Sequence, residues 1–186
     1  MTMRKWFVAV ILITIIGAAS FLALSGAKDE GAHPLSEYGM ADKDVYETVA
    51  FLESTLFEPG EMQAGLNAET LTVSTDVGSA SYDMPDEAFY ASIAPYYDST
   101  HPCGDHNLVT CRGELDRETF DVTVTNSEGD IVFDETVESE TNGFFGIWLP
   151  RNIDGSITLE HEGNVLEGDI TTFSDSGTCF TDYRFE

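Results

Sequence analysis

The chain shows three kinds of hydrophobic pattern in succession. The first is an uncharged apolar run from Trp6 to Leu24. Between residues 45 and 56, apolar side chains recur at the spacing of one face of a helix. Beyond residue 118 they alternate with polar side chains in short runs, which is the period of a β-strand. The pattern therefore predicts an apolar leader, a helix and a series of strands.

The amino-terminal run has the features of an export signal. Arg4 and Lys5 precede it, and Ser25-x-Ala27 follows it with the small residues of a signal-peptidase site. The run is long for a signal peptide, so residues 1–27 are either a cleaved signal or a retained membrane anchor. Both alternatives place the rest of the chain in the periplasm or outside the cell, or at the outer face of the membrane.

A polar tether and one helix are predicted next. Residues 28–41 are polar and contain glycine, with no periodic apolar pattern. Asp44 followed by Glu47 forms a capping-box-like helix start, and Pro59-Gly60 ends the pattern. The apolar stripe of the helix consists of Val45, Val49, Leu52 and Leu56.

The following segment predicts a hairpin and a short helical turn. Leu71 and Val73 alternate with polar residues, which indicates a hairpin over residues 70–83. Pro85 can open a helical turn because its ring fixes the backbone at a helical angle. The apolar residues of that turn are Phe89, Ile93 and Tyr97.

The last third of the chain has the pattern of a β-sandwich. Strict alternation begins at Phe120, and turn residues such as Asn142-Gly143 follow at intervals of about ten residues. We therefore expect an α+β fold. Residues 42–115 would form a small helical and hairpin part with a Cys-His loop, and residues 116–186 a β-sandwich-like part.

Charge excludes one class of function. The formal net charge is −26, and such a surface repels phosphate backbones, so nucleic-acid binding is not expected. No Gly-rich phosphate loop, G-x-S-x-G elbow or H-E-x-x-H motif is present. The sequence therefore favours a binding protein over an enzyme.

Three cysteines form an odd count for an exported protein, because an oxidising compartment normally pairs thiols. Cys103 and Cys111 lie in one loop segment together with His101 and His106. Cys179 begins a predicted strand whose inward face carries it toward the protein body. If the loop lies over the start of that strand, the three sulfurs can meet.

The donor atoms favour a soft metal. Thiolates suit Cu(I), and three of them can satisfy a low-coordinate ion. Zinc normally takes four ligands, for example the three cysteines with His101 or His106. Spacing alone does not separate the two metals.

Less specific interpretations remain open for each of these residues. Cys103 and Cys111 could form a structural disulfide in an interaction domain, with Cys179 left as an unpaired core thiol. His101 and His106 could be auxiliary ligands or plain surface-loop histidines.

Several stretches resemble the CueP family of exported copper-resistance proteins. They are Phe89 to Tyr96, Thr100 to Cys103, Thr110 to Leu115, Gly143-Phe144, Trp148 to Arg151, and Asp175 to Cys179. The resemblance runs from about residue 44 to the end of the sequence. It includes a counterpart for each of the three cysteines.

The resemblance implies a helical amino-terminal part joined to a β-rich part, and Cu(I) binding through Cys103, Cys111 and Cys179. It also implies a role in copper resistance, with copper passed to an exported enzyme such as a copper-zinc superoxide dismutase. Reduction of Cu(II) by the thiols is the alternative activity. A structural domain with a Cys103–Cys111 disulfide is the alternative without copper.

Overall fold

A computed structural model describes residues 33–186 of the chain. The predicted signal or anchor at residues 1–27 lies outside these residues, as does the first part of the predicted tether. Within the described range, no helix combines the length and apolar composition that crossing a membrane requires.

Strands make up most of the regular secondary structure in the described residues, which contain a single α-helix, α1 (Val45–Ser54). The fold is therefore β-rich, and its helical share is smaller than the α+β prediction implied. The strands are β1 (Gln63–Leu66), β2 (Thr70–Ser74), β3 (Ser79–Asp83), β4 (Ala88–Ile93), β5 (His106–Asn107), β6 (Thr119–Asn126), β7 (Ile131–Glu138), β8 (Phe145–Pro150), β9 (Asp154–His161), β10 (Asn164–Thr171) and β11 (Cys179–Phe180).

The strands form three sheets. The amino-terminal sheet has the order β3-β2-β1-β5, and the carboxyl-terminal sheet has the order β10-β9-β6-β7. A three-stranded sheet has the order β11-β4-β8, in which β11 pairs with β4 in parallel. All other strand pairs in the described residues are antiparallel.

The three-stranded sheet is covered on both faces. One face packs against the carboxyl-terminal sheet in a sandwich core, to which β4 contributes Phe89, Ala91 and Ile93. The other face contacts α1 and the amino-terminal sheet through Tyr90 and Trp148. Burial of two apolar faces stabilises this sheet more than a half-exposed sheet of equal size.

Helix α1 follows the sequence prediction at its start. The Asp44 side chain accepts a hydrogen bond from the backbone N–H of Glu47, at 2.9 Å, and so caps the first turn. Val49 and Leu52 are buried, whereas Leu56 lies beyond the helix end and is 59% exposed. The hairpin predicted over residues 70–83 is also confirmed, as β2 paired with β3.

The helical turn predicted around Phe89 and Ile93 is wrong, because this segment is strand β4. Strand β4 has buried residues on both faces, so its apolar residues do not alternate with polar ones. A spacing of four residues is compatible with both a helix and a doubly buried strand. Periodicity therefore could not separate the two structures here.

The described part of the predicted tether packs against the protein. Leu35 is fully buried beside α1 and the amino-terminal sheet, in a cluster that Tyr38 and Met40 also contact. One short 3₁₀ turn, Ser36–Tyr38, follows Leu35. Residues 33–41 therefore contribute to the apolar core despite their polar composition.

The last strand is shorter than predicted but faces the predicted way. Strand β11 has only two residues, yet the alternate side chains from Cys179 onward all point inward. The buried residues of this segment are Cys179, Thr181, Tyr183 and Phe185.

Candidate metal centre

The cysteine loop lies against the start of β11. The backbone N–H of Cys179 donates to the Gly104 carbonyl at 3.0 Å. The backbone N–H of His106 donates to the Thr178 hydroxyl oxygen, also at 3.0 Å. These two bonds join segments that are more than 70 residues apart in sequence, and they bring the third cysteine to the first two.

Four donor side chains converge at this contact. The ligand atoms of Cys103, His106, Cys111 and Cys179 all lie within 4.8 Å of one another. Cys103 and Cys179 form a disulfide with a Cα–Cα distance of 5.6 Å, and Cys111 carries a free thiol. The Cys111 sulfur lies 3.9 Å from that of Cys103. The structure therefore shows the centre with two of its three sulfurs oxidised.

The disulfide differs from the structural pairing considered from sequence. A Cys103–Cys111 bridge with an unpaired Cys179 is wrong for this structure, because Cys179 is the partner of Cys103. Loop spacing favoured the pairing of neighbours in sequence. The parallel pairing of β11 with β4 instead sets Cys179 opposite Ser92, and the Cys179 N–H bonds to Gly104 of the loop.

His106 is the histidine that lies in the same cluster as the three sulfurs. Its side chain is fully buried, and Nδ1 lies 3.5 Å from the Cys179 sulfur. The opposite ring atom, Nε2, lies 3.3 Å from Oε1 of Glu53, and the ring packs on Phe144 at a centroid distance of 4.6 Å. The surface-loop interpretation is therefore wrong for His106.

His101 is placed differently. It is not among the four converging donors, and its ring lies edge-on to Phe144 at 6.2 Å. Its backbone carbonyl accepts a hydrogen bond from the Thr181 hydroxyl at 2.9 Å, which ties the loop to the terminal segment. His101 thus contributes to loop position.

Glu53 is a residue of this centre that sequence reasoning missed. Its carboxylate is buried and accepts hydrogen bonds from Tyr90 Oη at 3.1 Å, Ser92 Oγ at 3.3 Å and Asn142 Nδ2 at 2.7 Å, besides facing His106. A buried carboxylate requires such donors, because an unpaired charge in the interior is costly. Glu53 could have been found from its position in the sequence, because it follows Val49 by four residues and therefore lies on the buried face of the helix.

A close approach of two backbone segments, at Gly113 and Gly143, positions the segment that carries Cys111. The N–H of Gly113 donates to the Asn142 carbonyl at 2.7 Å, and a Cβ atom at Gly113 or Gly143 would overlap the backbone of the other residue. Gly143 also has a φ of +78°, which glycine adopts without strain. This contact holds the segment of Cys111 against Phe144.

The electrostatics favour a thiolate beside a charged imidazole. Burial opposes the charge on His106, but hydrogen bonds to Cys111 and Glu53 raise its pKa to about 9. Burial likewise opposes the Cys111 thiolate, but the His106 hydrogen bond and the backbone bond at Asn107 lower the Cys111 pKa. The raised pKa favours the protonated imidazole in the metal-free centre, so a metal bound at Nδ1 would displace a proton.

The surroundings of the sulfurs are apolar on one side and open on the other. Cys179 is buried with Ala94 and Phe144, whereas Cys103 and Cys111 are partly exposed. Three sulfurs and one imidazole nitrogen are a soft donor set, which fits a soft metal ion better than calcium or magnesium. Fold and centre together define a β-rich protein with a cluster of cysteine and histidine donors that could hold a metal ion.

Comparison with known proteins agrees with this class. The family described as "Periplasmic copper-binding protein CueP" matches residues 47–184, and the chain belongs to that family. It is also similar to the solved structure "Crystal Structure of S.CueP", with 34% identity and a TM-score of 0.77. The similarity covers 82% of this chain and 94% of that one. No match was found among curated proteins. Copper is accordingly the metal that this family binds.

Proposed function

We propose that the protein is an exported Cu(I)-binding protein that holds copper through the thiolates of Cys103, Cys111 and Cys179. The convergence of these sulfurs within 4.8 Å is the observation that carries the proposal. Thiolates are soft ligands suited to Cu(I). His106 Nδ1 lies in the same group and is the auxiliary donor in this proposal.

Reduction of the disulfide must come before three-thiolate binding. The Cys103–Cys179 bond takes up two electrons and two protons to give two thiols, which join the free thiol of Cys111. Three-thiolate binding outside the cytoplasm therefore requires a thiol reductant that supplies these two electrons.

Sequestration would prevent copper from redox cycling outside the cytoplasm, which is a contribution to copper resistance. The partial exposure of Cys103 and Cys111 favours exchange of copper with an accepting exported enzyme, because an incoming ligand can reach those sulfurs. In this proposal residues 1–27 are a signal that is removed on export. The mass of the exported protein tests that point directly.

A second candidate function is reduction of Cu(II) by the thiols. The Cys103–Cys179 disulfide is the specific observation that favours it, because this bond is the expected product. Two thiols and two Cu(II) ions give one disulfide, two Cu(I) ions and two protons. Cys111 would then retain its thiol.

A Cu(I) titration of the reduced full-length chain against a chromophoric chelator tests the leading proposal. We expect one tightly held copper, weakened by Cys→Ser substitution at each of the three cysteines. His106→Gln and His101→Gln form a matched pair, of which only the first should weaken binding. Zinc that outcompetes Cu(I), or a Cys179→Ser variant with unchanged affinity, would contradict the three-thiolate copper site.

Thiol counting separates the second candidate. Addition of Cu(II) to the reduced protein should remove two thiols for every two ions reduced, and peptide mapping should place the new bond between Cys103 and Cys179. Stable thiol content would leave sequestration as the function.

A further inference from the structure

Three oxidisable rings form a continuous contact from the surface inward. Tyr46, on helix α1, is 40% exposed and packs on Trp148 of β8 at a centroid distance of 4.5 Å. Trp148 packs in turn on Tyr90 of β4 at 4.9 Å. Tyr90 is only 5% exposed. The three rings thus lead from solvent to the protein interior.

The inner end of this series reaches the cysteine centre through hydrogen bonds. Tyr90 donates its phenol proton to Oε2 of Glu53 at 3.1 Å. The other carboxylate oxygen faces His106 Nε2 at 3.3 Å, and His106 Nδ1 lies 3.5 Å from the Cys179 sulfur. A network of close contacts therefore links the sulfurs to Tyr90.

A glycine makes room for the innermost ring. A Cβ atom at Gly146 would overlap the phenol end of Tyr90. Glycine weakens the interior of a strand, so its position in β8 is explained by the close approach of this ring. The pair Phe120 and Phe145 in the sandwich core consists of phenylalanine, which is not readily oxidised.

We propose that Tyr90, Trp148 and Tyr46 form a path along which a one-electron oxidising equivalent leaves the cysteine centre and reaches the protein surface. The proposal rests on the proposed function, because copper held outside the cytoplasm meets peroxide, and their reaction generates one-electron oxidants beside the thiolates. Tyrosine and tryptophan are oxidised at potentials close to that of a cysteine thiol, so an oxidising equivalent can pass from the sulfur to these rings. Rings in van der Waals contact exchange electrons rapidly.

One-electron reduction of peroxide gives hydroxide and a hydroxyl radical, and the hydroxyl radical takes an electron from a cysteine thiolate to leave hydroxide and a thiyl radical. A cysteine thiyl radical takes an electron from Tyr90 and becomes a thiolate, while the phenol proton moves to Glu53. Trp148 then gives an electron to the Tyr90 radical, and the proton returns from Glu53. Tyr46 reduces the Trp148 radical cation and loses its proton to water. A small-molecule reductant of the ascorbate or thiol class finally restores Tyr46 by giving it a hydrogen atom.

Such a path protects the ligands. A cysteine radical that persists beside peroxide and oxygen proceeds to sulfinic and sulfonic acids, which are not returned to thiols by ordinary reductants. A tyrosyl radical at Tyr46 can instead be reduced from solution without loss of a copper ligand.

Radical mapping tests the path. The reduced full-length chain is loaded with Cu(I), its copper content is measured, and hydrogen peroxide is added with a nitroso spin trap. Mass spectrometry then reports the trapped residues and the fraction of cysteine converted to sulfinic or sulfonic acid. We expect the trap on Tyr46 in the copper-loaded protein and little of it there in the copper-free protein.

Substitutions in the path should change radical trapping or cysteine over-oxidation, whereas a control substitution should change neither. Trp148→Phe keeps a ring in the core but should lower trapping at Tyr46 several-fold and raise cysteine over-oxidation. Tyr46→Phe, at an exposed position that does not threaten folding, should also raise over-oxidation. Tyr82→Phe, a tyrosine outside the path, should match the unsubstituted protein.

The outcomes separate the path from the proposed function. Loaded protein in which Trp148→Phe changes neither the trapping at Tyr46 nor cysteine over-oxidation overturns the path alone. A chain that takes up no Cu(I) overturns the proposed function, and the path falls with it.

Discussion

Glu53 and His106 meet in the protein interior, with Oε1 3.3 Å from Nε2, although 53 residues separate them in sequence. The contact connects helix α1 to the cysteine loop. A histidine held by a carboxylate through one nitrogen presents the other nitrogen in a fixed direction, an arrangement common beside metal ligands. The orientation of His106 toward the sulfurs therefore depends on a helix that contributes no donor to the centre.

Replacement of this carboxylate should affect both stability and copper binding. Glu53→Gln keeps the side-chain volume but breaks a buried charged contact, and we expect a loss of about 3 kcal/mol in the free energy of unfolding. Cu(I) affinity should fall about 10- to 100-fold, as for other carboxylates that orient ligands. Urea unfolding and chelator competition measure the two effects.

Glu47→Gln is the matched control for that substitution. Glu47 lies on the same helix, with its side chain 50% exposed, so its loss should cost less than about 1 kcal/mol and leave copper affinity unchanged. Equal behaviour of the two variants would show that Glu53 does not orient His106.

Cys111 should be more reactive near neutral pH than an ordinary thiol. Because its pKa is lowered, the thiolate persists to lower pH, and the rate of alkylation should fall only as the pH drops through that lowered pKa. Cys111 is the free thiol of the disulfide form, so iodoacetamide reports on it alone. His106→Gln should move the midpoint of the pH profile upward, whereas His101→Gln should not. If the midpoint of the pH profile is the same in His106→Gln as in the original protein, the electrostatic explanation is contradicted.

The backbone contact behind Cys111 should not tolerate a methyl group. Gly113→Ala places a Cβ atom on the backbone of Gly143, and we expect a loss of about 1–3 kcal/mol in unfolding free energy with weaker Cu(I) binding. Gly104→Ala, beside Cys103, meets nothing within 4 Å and should stay within about 0.5 kcal/mol of the original protein. Comparable losses in both variants would disprove the steric explanation.

The disulfide should make a measurable contribution to stability. It joins residues 76 positions apart, and closing a loop of that length removes conformational entropy equivalent to about 4 kcal/mol from the unfolded chain. Denaturant unfolding with and without reductant, in the absence of metal, measures this difference. Cys111→Ser should preserve the difference, while Cys103→Ser should abolish it.

Elements could be predicted from the sequence where the pattern that marks them lies within one continuous segment of the chain. Helix α1 could be predicted because its cap and apolar stripe lie within one segment. Strand β4 could not, because burial on both faces removes the alternation that marks a strand. The inward direction of Cys179 followed from alternation along a single segment, and the burial of that residue agrees with it.

The partners within the centre were harder to predict. Which cysteine pairs with Cys103 depends on the parallel register of β11 against β4, a contact between remote segments. Glu53 lies on the apolar face of a helix, where a charged residue signals a buried partner without identifying it. His106 could not be separated from His101 by loop composition, since only packing on Phe144 and contact with Glu53 distinguish their environments.

The sulfurs come from the two ends of a chain segment that contains the whole carboxyl-terminal sheet. Cys111 precedes β6, and Cys179 follows β10. Any event that separates this sheet from its neighbours, whether heat, denaturant or proteolysis, also moves the sulfurs apart. If the sulfurs hold copper as proposed, retention of the ion is a direct assay of the integrity of the fold, and a bound ion should raise the resistance of the entire β-rich unit to proteases.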